Sequence, residues 1–168
     1  GSLFLKGRPL VVGANHRSSS LGLRDRLFAE DHELPALFEK LRGKGLSQAL
    51  VASTCDRVEI LTFDEVGNQA EKAIVSCLAE RGGISDAELS GQLYRHWDEG
   101  AVRHIFNVAA SLDSQVIGEP QVLGQIKAAH RIARENGFIG SELEALMQAA
   151  FEAARRVRRE TEIGKRPV

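Results

Sequence analysis

Cysteine is scarce in this chain, with only Cys55 and Cys77 in 168 residues. Two thiols make no disulfide framework, and without a C-x-x-C or a Cys/His cluster there is no zinc site to expect. The histidines (His16, His32, His96, His104, His130) show no metal-ligand spacing. An excess of charge is also missing. The net charge is -1, so a nucleic-acid partner has to be met by a local basic patch and not by bulk charge. No apolar run approaches the roughly 20 residues of a membrane span. No signal peptide follows Gly1-Ser2, which reads as the scar of an expression tag. Internal repeats, low-complexity tracts and a strand-following G-x-G-x-x-G fingerprint are all absent. With 43% hydrophobic and 27% charged residues, the composition fits a soluble globular protein of one domain or one and a half. The expectation is a cytoplasmic, reduced-thiol protein with no structural metal.

The first hundred residues alternate strand and helix signals. Pro9 to Ala14 is a short apolar run with β-branched residues, a buried strand. Helical pieces follow over Leu23 to Ala29 and Glu33 to Leu41, the second with Leu34, Leu37, Phe38 and Leu41 as one stripe. Gln48 to Ser53 and Val58 to Phe63 read as strands. Asn68 to Glu80 reads as a helix with Ala70, Ile74, Cys77 and Leu78 on one face, which makes Cys77 a core residue. Ser85 and Glu88 suggest a capped turn, and Leu93 to Trp97 a fourth strand. This βαββαβ order predicts an α+β fold, a ferredoxin-like split βαβ sheet followed by a helical segment. Asp98 is expected to cap a helix burying Val102, Ile105, Phe106 and Ala109, with Ala110 to Glu119 breaking the pattern. Pro120 opens a second helix and Gly137 closes it. Ser141 with Glu144 caps a third, which ends in Arg155, Arg156, Arg158 and Arg159. Those arginines suit a helix C-terminus or a phosphate-binding patch.

Thr54-Cys55-Asp56-Arg57 directly follows the apolar run Ala49 to Ala52. A thiol at the exit of a buried strand is where a cysteine nucleophile would be presented. The strand fixes the sulfur, and Arg57 can favour its thiolate or hold an anionic substrate. The same tetrad also fits a half-buried structural cysteine beside a surface arginine.

Four separated stretches share one likeness. They are Gly13-Ala14-Asn15-His16-Arg17 leading to Leu23-Arg24-Asp25-Arg26-Leu27, and Ser53-Thr54-Cys55-Asp56-Arg57-Val58-Glu59-Ile60. Then come the run from His104 through Leu112-Asp113-Ser114, Gly118-Glu119-Pro120-Gln121 and Gly124-Gln125 to Lys127, and finally Val157-Arg158-Arg159-Glu160-Thr161-Glu162-Ile163-Gly164. In this order and spacing the chain, from about Leu10 to Gly164, resembles the N-terminal part of glutamyl-tRNA reductases. The resemblance implies reduction of a glutamyl-tRNA ester to glutamate-1-semialdehyde, which opens the C5 route to tetrapyrroles. It implies a catalytic region over 3–97, helices completing it and the glutamate site over 98–140, and the start of a long connecting helix over 141–168. NADPH would be bound by a domain absent from this chain, so no cofactor-binding or metal-binding residue is assigned here. The next enzyme, glutamate-1-semialdehyde aminomutase, and a homodimer formed through an absent C-terminal domain are the implied partners besides glutamyl-tRNA.

The resemblance also assigns residues. Cys55 would be the nucleophile, because a thioester is more electrophilic towards hydride than an oxygen ester. His104 would protonate the ribose leaving group; otherwise it is a helix-face histidine satisfied by a carboxylate. Arg57 would hold the substrate α-carboxylate with its fork. Thr54, Cys55, Asp56, Arg57, Ser114, Glu119, Pro120, Gln121 and Gln125 would form the glutamate site, although Gln121 and Gln125 also fit an i, i+4 surface pair. Two departures stand out. Asp56 occupies a family asparagine position, where a carboxylate disfavours the neighbouring thiolate unless a cation neutralises it. Ser18-Ser19-Ser20 replaces a Thr-Ala-Pro-like turn and forgoes the stiffness of proline. Two other readings remain open. One is a non-enzymatic regulatory homologue holding haem through Cys55 or a histidine; no Cys-Pro dipeptide supports it. The other is a tRNA-binding fragment that uses the Arg155 to Arg159 cluster.

Overall fold

The computed structural model describes residues 7–54, 56–65, 67, 69–114 and 121–165, with the backbone alone described at 111–114, 121–125 and 165. Eight consecutive residues, Arg8–Asn15, form strand β1, and all six between the ends are buried. A strand buried on both faces needs cover on both, and helices supply it. Helices α1 (Leu21–Leu27) and α2 (Leu34–Gly43) lead to strands β2 (Leu50–Ser53) and β3 (Arg57–Asp64). Helices α3 (Gln69–Gly82) and α4 (Asp86–Ser90) precede strand β4 (Tyr94–Trp97). Helices α5 (Glu99–Ser114), α6 (Gln121–Glu135) and α7 (Ser141–Lys165) follow. The sheet order is β2-β3-β1-β4 with every neighbouring pair antiparallel. β1 and β2 therefore run the same way with β3 between them. The fold is α+β, a four-stranded antiparallel sheet interleaved with helices and followed by a long C-terminal helix.

Alternation along the strands divides the interior. Leu10, Val12 and Ala14 of β1, with Val51, Val58 and Ile60, face α1, α2 and α3. The stripe Leu34, Leu37, Phe38 and Leu41 is buried there as expected, and so is Cys77. Burying one such side chain contributes about 1.5–3 kcal/mol. Val11, Leu50, Leu61 and Phe63 face the other way, onto Ala101, Ile105 and Ala109 of α5 and Leu143, Met147 and Ala150 of α7. The edge strand β2 is covered by α6, with Ala49 N–H donating to the Phe138 carbonyl at 3.0 Å. This blunts an edge that could otherwise pair with another chain.

Several expected caps differ. Asp98 has φ 54° and turns its carboxylate to Arg8, whose Nε and Nη2 donate at 3.0 and 2.7 Å. It holds the expected N-cap position, its carbonyl accepting from Val102 N–H at 3.1 Å, but as a left-handed corner between β4 and α5 whose carboxylate goes to Arg8. α5 also runs on to Ser114, past the expected break at Ala110. α7 is capped from a distance. Buried Gln48 accepts from Gly140 N–H at 3.0 Å and Leu143 N–H at 3.4 Å through Oε1, and donates to Glu142 at 3.0 Å. Glu144, expected in a capping box with Ser141, instead binds His130 and Gln148. The serine loop after β1 is pinned by its own side chains. Asn15 Oδ1 accepts from Arg17 and Ser18 N–H, Ser18 Oγ accepts from Asn15 N–H, Ser19 Oγ donates to Asn15 O, and Ser20 Oγ caps α1. Local hydrogen bonds thus do the work a proline ring would have done.

Candidate active site

The strand-exit turn is a tight one. Thr54 N–H donates to the Arg57 carbonyl at 2.8 Å, with two residues between them. Thr54 Oγ1 accepts from the backbone N–H of both Asp56 and Arg57 at 3.3 Å. The hydroxyl of Thr54, expected among the substrate contacts, is thus spent on shaping the turn. Asp56 is exposed, so water screens its charge. Cys55, Glu119 and Pro120 lie outside the described residues. Ser114, at the end of α5, and Gln121 and Gln125, in the first turns of α6, are described by their backbone alone.

What the structure brings together is a polar cluster on the sheet face beneath α5. Register places Ala52 opposite Glu59, Glu59 opposite Gly13, and Gly13 opposite Tyr94, one row across all four strands. Arg57 lies two residues from Glu59 on the same face, opposite Asn15. α5 lays His104 over this row. Glu59, only 3% exposed, is the hub. Its Oε2 meets His104 Nε2 in a very short contact and accepts from Tyr94 Oη at 2.5 Å. Arg57 Nη1 stands 3.9 Å from its Oε1, an ion pair without a hydrogen bond. His96 stacks on His104 with ring centroids 4.4 Å apart.

Burial pushes the Glu59 carboxyl up. The opposing pull of His104, Tyr94 and Arg57 is larger and leaves it below its ordinary value. Burial, then the Glu59 carboxylate, push the Tyr94 phenol up, so its proton stays on oxygen and is donated. Burial and the neighbouring His104 hold His96 below its ordinary value, against a smaller opposing effect of Glu59. The arrangement can hold an imidazole at fixed orientation on a buried anion, beside a guanidinium, at the end of the strand that leads into Cys55. His104 is indeed satisfied by a carboxylate, but one reached across 45 residues of sequence and not on its own helix. A separate cavity of about 870 Å³ lies at the far end of β1, lined by Arg8, Asp64, Asp98, Val102 and Phe106, and among the described residues none of those expected at the site lines it.

Sequence reasoning missed Glu59, Tyr94 and His96. Glu59 was visible as a carboxylate flanked by the apolar Val58, Ile60 and Leu61 within β3, and a buried charge in such a run needs partners. Tyr94 and His96 had period-two spacing on β4 but no signal of what they faced.

Comparison with known proteins decides the family. The model for the "Glutamyl-tRNAGlu reductase, N-terminal domain" matches residues 12–161. The chain belongs to the glutamyl-tRNA reductase N-terminal domain family. A glutamyl-tRNA reductase of Rhodospirillum rubrum is 46% identical over 159 residues, covering 95% of this chain and 37% of the relative. That of Acidothermus cellulolyticus is 42% identical, covering 92% of this chain and 33% of the relative. The solved glutamyl-tRNA reductase from Methanopyrus kandleri superposes with a TM-score of 0.68 at 25% identity, over 95% of this chain and 36% of that one. The chain thus spans little more than a third of the reductases it matches. No helix among the described residues is long and apolar enough to cross a membrane.

Proposed function

We propose that this chain is the catalytic region of a cytoplasmic glutamyl-tRNA reductase, built on a ferredoxin-like split βαβ sheet, and that it takes the glutamyl group from tRNA onto Cys55. The observation that carries the reading is His104 held on buried Glu59 beside Arg57, in a chain of this family. The Cys55 thiolate attacks the ester carbonyl carbon. A C–S bond forms, the bond from that carbon to the ribose oxygen breaks, and His104 gives that oxygen its proton. Arg57 receives the α-carboxylate of the glutamyl group in its fork. Ser114, Glu119, Pro120, Gln121 and Gln125 complete the glutamate site, with Thr54 and Asp56 shaping the turn that presents the thiol. Exposure of Asp56 weakens its effect on the thiolate.

Reduction of the thioester to the aldehyde would take its hydride from NADPH. The described residues offer it no glycine-rich phosphate cradle: the turn after β1 is built on Asn15 and serines. Hydride delivery therefore falls to groups other than the described residues. By this reading 3–97, 98–140 and 141–168 are the sheet, the glutamate-site helices and the connecting helix, and the full-length form is a homodimer that passes its product to glutamate-1-semialdehyde aminomutase. No observation among the described residues favours haem as the occupant.

The test is covalent capture. Protein is mixed with tRNA charged with labelled glutamate, quenched in acid, and compared with Cys55→Ser. Label that needs Cys55 and is released by hydroxylamine is the expected result. Label that persists in Cys55→Ser, or its absence from folded protein, would overturn the proposal.

A further inference from the structure

A buried carboxylate carries little directional information unless something fixes its plane. Glu59 has neighbours from every element packed around it. Arg57 stands on its own strand, His104 on α5, with His96 of β4 stacked behind that ring, and Tyr94 on β4. β1 and β2 contribute Gly13 and Ala52, which do not titrate. Ile126 and Met147, from α6 and α7, line a small apolar pocket against it. Of these groups Tyr94 reaches furthest, because β1 lies between β4 and β3.

The phenol crosses β1 only because position 13 has no side chain. A Cβ built on Gly13 would lie 2.7 Å from Glu59 Cγ, 2.9 Å from Tyr94 Oη and 2.8 Å from the Val58 carbonyl oxygen. Real Cβ atoms do not approach that closely. Gly13 needs no left-handed backbone, since its φ is not positive. Its missing side chain is therefore a matter of space, and the space is filled by the Tyr94–Glu59 hydrogen bond. The ring of Tyr94 also lies 5.9 Å from that of His104 and 5.4 Å from that of His96.

We infer that Tyr94 is a positioning residue of the site, a brace that passes over Gly13 to fix Glu59 and, through it, the ring of His104. The brace deepens the proposed function and rests on it for its catalytic consequence. It acts through Glu59 and touches no substrate. The phenol stays protonated, so it donates to the carboxylate at all working pH values and favours the anionic form that holds His104.

Tyr94→Phe removes the hydroxyl and keeps the ring. Capture of the glutamyl group on Cys55 should slow about tenfold, as for a lost hydrogen bond to a charged group, with the concentration of glutamyl-tRNA giving half-maximal rate unchanged. The acid limb of the rate profile should move to higher pH, because Glu59 loses a donor that favours its ionised form. The Glu59 carboxyl carbon, followed by NMR, should titrate at correspondingly higher pH in the variant. A tyrosine that served folding alone would raise the Glu59 midpoint on losing its hydroxyl but leave the rate unchanged. An unchanged rate, or an unchanged Glu59 titration, would overturn the brace. If the wild-type chain captures no glutamyl group, the proposed function has failed and the brace is judged on the NMR titration alone: a raised Glu59 midpoint supports it, and coincident curves refute it.

Discussion

Gly13→Ala is the smallest change that should damage this site, and its size can be worked from the contacts. The added methyl meets three atoms at 2.7–2.9 Å, two of which belong to the Glu59–Tyr94 pair and one to the β3 backbone. Forcing a methyl into a filled space costs about 1–3 kcal/mol. If Tyr94 yields, the hydrogen bond to a buried anion goes too, about 1.5–3 kcal/mol more. Alanine recovers about 0.4–1 kcal/mol by restricting the unfolded chain. The expected net loss is about 2–4 kcal/mol, or roughly 1–2 M in the urea midpoint for a chain of this size. Gly22→Ala is the control: a Cβ there meets nothing within 4 Å on α1, so alanine should be neutral or stabilising by up to about 1 kcal/mol. Urea melts of wild type, Gly13→Ala, Tyr94→Phe and the double variant complete the experiment. With the hydroxyl already gone, the methyl has one clash fewer, so the two losses should fall short of additive by about 1 kcal/mol. The clash with the Val58 carbonyl persists in both backgrounds, so the coupling is partial. Gly13→Ala within about 0.5 kcal/mol of wild type, or strict additivity, would refute the packing argument.

Two further changes probe the parts that hold the site up. Gln48→Ala should lower stability by about 1–3 kcal/mol, since it strips the start of α7 of its acceptor and leaves two N–H groups unmet; equal melting temperatures would show that water replaces the cap. Acid should unfold the chain through Glu59. Its folded value lies below its ordinary 4.5, so the stability it contributes is complete above that value and is lost as pH falls through the folded one. Glu59→Gln should therefore be less stable than wild type at neutral pH, yet take up about one proton fewer on acid unfolding. Parallel stability curves below pH 5 would contradict this.

The parts of the fold that were legible in the sequence are those set by local pattern. The stripe on α2 and the apolar face of α3 followed helical spacing. The β-rich runs of β1 and β3 were short and bounded by turn residues, which told strand from helix. The cap at Ser141 and the partner of the Asp98 carboxylate went astray because local sequence offered a good candidate while a distant residue supplied the real contact. Arg8 claims Asp98 across 90 residues, and Gln48 reaches α7 across more than 90. No window of sequence contains such a pair. Among the expected site residues, Arg57 and His104 do meet at one face of the sheet, but through Glu59, which linked neither to the other in the sequence.

The same logic gives Gly13 a role that its place in a motif does not reveal. Along β1, Gly13 sits between Val12 and Ala14, and read alone it marks only the end of a strand. In register it is the point at which three strands bring a carboxylate, an empty position and a phenol into line. An alanine there would leave the apolar pattern intact and the strand just as well predicted, while the row below α5 would no longer close. The information that makes this site a site is held in what is missing from one position, and it becomes readable only when the sheet register is known.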